Sequence, residues 1–182
     1  MTVTPAKWSL DEYHQMIDAG ILVERQIELL NGEMIEMAPE GPEHAQLSTD
    51  AADYLRVLLG SRALIRDAKP ITLLNSGSEP RPDVAIVQPL RDLYRTRHPY
   101  PENIFWLIEY AHSSLVKDLE AKRKAYAEIA EYWVVNLRHR RVTVFREPTH
   151  GDYLQETIVT DGNLMPVAFP DVVVDVRRLL PG

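Results

Sequence analysis

The chain has 182 residues, 45% hydrophobic and 26% charged, with a formal net charge of −7 and no cysteine. Such a length and apolar fraction suit one α/β or α+β domain, residues 1–182, while the acidic balance argues against a surface that is basic throughout for nucleic acid. Disulfides and thiolate metal sites are excluded; no run of about eighteen apolar residues offers a membrane partner, and the N-terminus has no secretory pattern, so a cytoplasmic location is expected.

From the N-terminus, Ser9-Leu10-Asp11-Glu12 has the form of a capping box, and Tyr13, Met16 and Ile17 give the short helix behind it an apolar face. Gly20 should stop that helix. Residues 27–30 and 33–37 are strand-like and flank Asn31-Gly32, a strong hairpin signal, because a type I′ turn needs positive φ at both central residues. Glu28 and Glu33 flank the turn and face solvent by default. After the break at 39–42, a helix is expected from Glu43 or His44 to about Leu59, with Leu47, Ala51, Tyr54, Leu55 and Leu58 inward. Strand material follows at 63–66 and 70–74. Pro80 and Pro82 cannot donate to a ladder, so the strand at 84–87 starts with Asp83 at its mouth. The polar stretch 89–101, with Arg91, Arg95, Arg97 and His98, is a candidate binding loop.

Residues 104–108 are apolar at every position, which predicts a strand buried on both faces, and Glu109 stands at its far end. The pattern then becomes helical: Leu115, Leu119, Lys122, Tyr126 and Ile129 share one face, with Lys122 as a cation inside an apolar stripe. Strands at 132–136, 142–145, 153–158 and 172–176 complete the chain, the last three peripheral and antiparallel. If 83–87 and 104–109 are antiparallel neighbours, Asp83 and Glu109 meet at one sheet edge, and Lys122 can reach the same corner. Two carboxylates and an amine there suit a hard divalent cation, Mg²⁺ or Mn²⁺, and a polarised water. The alternative for Lys122 is to snorkel outward and bond Asp118 one turn earlier.

Arg81-Pro82-Asp83 entering an apolar strand, Ile108-Glu109 with serines after it, Asp118, Lys122 and Tyr126 at four-residue spacing, and Glu131-Tyr132-Trp133-Val134-Val135-Asn136 together resemble the Uma-type family. The opening around residues 27–37, followed by His44, resembles it too. This bacterial family of candidate restriction endonucleases lies within the PD-(D/E)XK nuclease superfamily. The resemblance implies a restriction-endonuclease-like mixed β-sheet with an αβββαβ core, an N-terminal β-hairpin and C-terminal antiparallel strands. It also implies a Mg²⁺- (or Mn²⁺-) dependent DNA endonuclease, with Asp83 and Glu109 as metal ligands and Lys122 as the third catalytic residue. Position 111 is alanine, so the superfamily's usual lysine is absent there and is supplied from the helix. Glu33 and His44 match residue types of the family and would stand behind the metal ligands or hold a metal-bound water; Asp118 would be a partner in the helix's first turn. The competing function is a catalytically inactive nucleic-acid-binding or protein-interaction module on the same fold. Cutting both strands of a duplex would favour a homodimer.

Overall fold

The continuous apolar runs become the centre of a sheet. The structure, a computed structural model, describes residues 5–111 and 116–181, with the backbone alone at 116–119. In chain order the elements are α1 (Leu10–Asp18), β1 (Ile27–Leu30), β2 (Glu33–Glu36), α2 (Pro42–Leu59), β3 (Leu64–Asp67), β4 (Val84–Val87) and β5 (Ile104–Ala111). They continue with α3 (Val116–Tyr126), β6 (Glu131–Asn136), β7 (Arg141–Thr149), β8 (Asp152–Val159), β9 (Asn163–Leu164) and β10 (Val174–Asp175). Strands β3 to β8 form one six-stranded sheet in sequence order. All its pairs are antiparallel except β5 with β6. A parallel pair cannot be closed by a tight turn, and α3 makes the crossover.

Alternation of side chains along the central strands divides the core between two faces. Trp106, Ile108 and Trp133 face α2, where Ala51, Ala52, Leu55 and Leu59 cover them. Leu107, Tyr132 and Val134 face the other way, onto Ala125, Tyr126 and Ile129. Small residues on α2 let it lie close to the two tryptophans, whose ring centroids are 5.6 Å apart. Glu131, the acid that opens β6, is fully buried yet satisfied. It accepts from Trp133 Nε1 at 2.9 Å, Arg146 Nε at 2.8 Å and the Val167 amide at 2.7 Å.

The hairpin β1–β2 is a separate two-stranded sheet with Asn31 at φ 52° and Gly32 at φ 77°, as a type I′ turn requires. Gly32 has a second reason to lack a side chain, since a Cβ there would sit 2.8 Å from Lys7 Cβ. The hairpin is bound to the segment before β4 by the Glu79 amide on Leu29 O at 2.7 Å and the Asn31 amide on Ser78 Oγ at 2.8 Å. The capping box forms on α1: Ser9 Oγ accepts from the Glu12 amide and Glu12 accepts from the Ser9 amide.

Three local expectations change. Residues 70–74 are no strand. Ile71 and Leu73 are buried, but Leu73 pairs only with Ser78 across a turn and the Thr72 amide bonds Pro99 O, so turns and loops stand where a ladder would need a strand. The inner face of α2 is rotated toward Ser48, Ala51, Ala52, Leu55 and Leu59. The last strand shortens to β10, which pairs with β9 outside the main sheet. Among the described residues no helix is long and apolar enough to cross a membrane.

Candidate active site

Antiparallel pairing of β4 with β5 sets Val84 opposite Ile108, and therefore places Asp83 beside the Glu109 end of β5. Both carboxylates are buried. Asp83 Oδ2 accepts from the Tyr110 amide at 2.6 Å. Glu109 Oε1 accepts from Lys122 Nζ at 2.9 Å and from Tyr126 Oη at 2.7 Å. Lys122 and Tyr126, one turn apart on α3, thus converge on one oxygen. Lys122 does not snorkel: it is 7% exposed, and its ammonium stays inside the corner.

A third carboxylate completes the corner. Glu28, expected in solvent, is 3% exposed and lies 3.6 Å from Lys122 Nζ. Its Oε1 accepts from the Arg81 amide at 2.9 Å. The signal for it was the strand period: Glu28 shares a hairpin face with Leu30, and that face packs inward against α3. Glu33, expected to assist at the site, is exposed on β2 and is not among the buried groups that meet there. The side chain of Asp118, and the serines at 113 and 114, lie outside the described residues.

His44 stands in the first turn of α2, with its imidazole against the Tyr110 ring at a centroid separation of 6.0 Å. Its Nε2 is 3.0 Å from Asp83 Oδ2, an ion-pair contact when the ring is protonated, although the geometry falls short of a well-aligned hydrogen bond and no other group partners the buried nitrogen. Glu40, just before α2, brings a carboxylate oxygen to the same place; donor atoms of Glu40, His44 and Asp83 all lie within 4.8 Å of one another. Glu40 sits in the proline-flanked break, where no hydrophobic period points to it. Its four-residue spacing to His44 was the available clue.

Three buried carboxylates therefore surround one ammonium, with the titratable imidazole of His44 beside Asp83, so negative charge is in excess when the carboxylates are ionised. Burial pushes the Glu109 carboxyl up to about 7, against the pull of Lys122, and the neighbouring Asp83 and Glu28 push the same way. Burial alone would lower the pKa of Lys122, but Glu109 and Glu28 outweigh it and raise it. Burial also opposes a charge on His44, and there too the carboxylate of Asp83 prevails and raises the pKa. A pH dependence follows. The folded-state pKa of Glu109 lies above its ordinary 4.5, so its protonation stabilises the fold fully below that pH, and the contribution is lost as pH rises through about 7. In cation-free buffer the wild type should lose about 3 kcal/mol of unfolding free energy across this window relative to Glu109→Gln. Urea unfolding at a series of pH values measures the difference; parallel curves for the two proteins would mean that Glu109 is ionised throughout.

The arginine-bearing loop is more ordered than its composition suggests. Arg97 bonds Asn103 Oδ1 and His98 O, each at 3.0 Å, and stacks on Tyr100 at 3.8 Å. Arg91 and Arg95 remain exposed.

An αβββαβ core, here α2, β3, β4, β5, α3 and β6, under a mixed sheet defines the restriction-endonuclease-like class of α/β proteins. The chain belongs to the Uma2 family, described as putative restriction endonuclease, whose profile matches residues 10–177. Among solved structures it is similar to a putative nuclease from Anabaena variabilis ATCC 29413, with a TM-score of 0.73 and 13% sequence identity over 96% of this chain and 97% of that one. At that identity the likeness is one of fold. No curated protein matches the chain in sequence.

Proposed function

We propose that this protein is a divalent-cation-dependent endonuclease of the PD-(D/E)XK type, hydrolysing phosphodiester bonds in DNA, with residues 1–182 acting as one domain. The observation that carries the proposal is the buried excess of negative charge around Asp83, Glu28 and Glu109. Uncompensated buried charge is costly, and a divalent cation opposes the excess in sign. Asp83 and Glu109 are the residues assigned to hold Mg²⁺ or Mn²⁺. When bound, the ion would supply positive charge to a phosphate oxygen and acidify a water. Lys122 keeps its proton, so its part is to orient the attacking water and offset charge on the phosphate rather than to act as a base. Tyr126 and Glu28 position that lysine and its partner: one donates to Glu109, the other approaches the ammonium from the hairpin side.

A second function, a non-catalytic nucleic-acid-binding module on the same fold, draws on the two hydrogen bonds that already end on Glu109 Oε1. Supercoiled plasmid incubated with the protein and Mg²⁺ or Mn²⁺, against an EDTA control, separates the two. Nicked or linear products that need the cation are expected. Intact plasmid retarded by the protein equally well in EDTA would support the binding module instead. A two-fold dimer, if one forms, would yield linear product directly by cutting both strands.

A further inference from the structure

We propose that the cation is held in part from the helix side of the corner, by the imidazole of His44 with Glu40 joining Asp83, and that this nitrogen makes the site selective for Mn²⁺ over Mg²⁺. The inference rests on the metal-dependent reading above and adds to it which residues bind and which ion they prefer.

Three features point the same way. First, the donor atoms of Glu40, His44 and Asp83 are already gathered within 4.8 Å of one another, the span expected of groups that share one ion; this is the one such cluster among the described residues. Second, His44 Nε2 is buried 3.0 Å from Asp83 Oδ2, in a charged contact that is not a well-aligned hydrogen bond, and it has no other partner. Buried polar nitrogens are usually well bonded, and a cation between the two groups would give both the nitrogen and the carboxylate a ligand bond in place of that contact. Third, the nitrogen is held in place. The imidazole sits on the first turn of α2, and the Tyr110 ring lies against it. Tyr110 also fixes Asp83 through its amide, so one residue of β5 sets the relation between two of the donors.

The donor chemistry then decides the ion. Mg²⁺ binds oxygen, demands a regular octahedron of waters and carboxylates, and gains little from an imidazole. Mn²⁺ keeps the same carboxylate and water ligands and, as a transition metal, gains more than Mg²⁺ from a histidine nitrogen, while being the weakest binder of its series. Glu40 is exposed, so it can adjust to the ion without moving the strands. Glu109 already accepts from Lys122 and Tyr126, both on Oε1. The corner thus has a helix-side half built for the ion and a crossover-side half built around the ammonium.

The test uses the full-length protein and Mn²⁺ alone, read by electron paramagnetic resonance. Pulsed echo-modulation spectra of the Mn²⁺ protein should carry the coupling of a directly bound ¹⁴N, and that coupling should vanish in His44→Gln. Mg²⁺ should displace Mn²⁺ only at about tenfold or greater excess in the wild type, and near parity in the variant. Glu40→Gln, at an exposed position that no core contact depends on, should weaken Mn²⁺ binding and keep the ¹⁴N coupling. Circular dichroism confirms that each variant is folded. Bound Mn²⁺ without a ¹⁴N coupling in the wild type would overturn the assignment of His44 and leave the metal-dependent nuclease standing. A wild type that binds no Mn²⁺ at all would overturn both.

Discussion

Lys122→Met is expected to lower the unfolding free energy by about 3–5 kcal/mol, because it removes the one cation that Glu109 and Glu28 share and leaves both carboxylates buried. Methionine keeps most of the stem, so lost packing is a small part of the change. The penalty has a pH signature. Glu109 can escape it by taking a proton, and without the ammonium its pKa rises further, so the loss should be smaller near pH 5 than near pH 8. Lys122→Met combined with Glu109→Gln should recover much of the stability, since the pair is removed together rather than broken. Urea or guanidinium titrations of the wild type, the two single variants and the double variant measure the coupling. Additive changes would mean that the ammonium and the carboxylate do not depend on each other.

The second large effect is on activity. Asp83→Asn keeps the size of the side chain and an oxygen that can still accept from the Tyr110 amide, so the fold should survive with unfolding free energy within about 1 kcal/mol of wild type. It removes the charge at the point where the two halves of the corner meet. Cleavage should fall by about a hundred- to a thousandfold or beyond, and calorimetric binding of Mn²⁺ should weaken with it. A variant that cuts plasmid as fast as the wild type would show that the chemistry lies elsewhere. These two substitutions therefore separate the roles in the corner: one tests stability that depends on charge pairing, the other a function that depends on a ligand.

Much of this arrangement is legible in the sequence because fully apolar runs are rare and an acid at the end of one has few places to go. The run at 104–108 predicts a central strand, Pro82 fixes where β4 can begin, and antiparallel pairing of the two brings Asp83 and Glu109 together. Lys122 stands out for the same reason, as a charge on an apolar stripe. What stayed hidden is what depends on tertiary placement. Glu28 looks like any acid on a hairpin until α3 covers that face. Glu40 lies in a stretch without a period, and only the approach of α2 to the mouth of β4 gives it neighbours. The stretch 70–74 has the composition of a strand, but a strand also needs a partner edge, and only loops are nearby.

The hairpin's separateness has one more consequence. Glu28 arrives on a two-stranded ribbon that shares no ladder with the six-stranded sheet; backbone and side-chain hydrogen bonds to the segment at 78–81 hold it there. Two pieces of chain in separate sheets thus set the ionisation of a single buried acid. A substitution at the Asn31-Gly32 turn that tilts the ribbon would shift Glu28 away from Lys122 and retune Glu109 without touching any residue of the sheet. The ribbon is in this sense an adjustable counterweight: evolution or design can trim the acidity of the corner at its rim while leaving the strands that carry it unchanged.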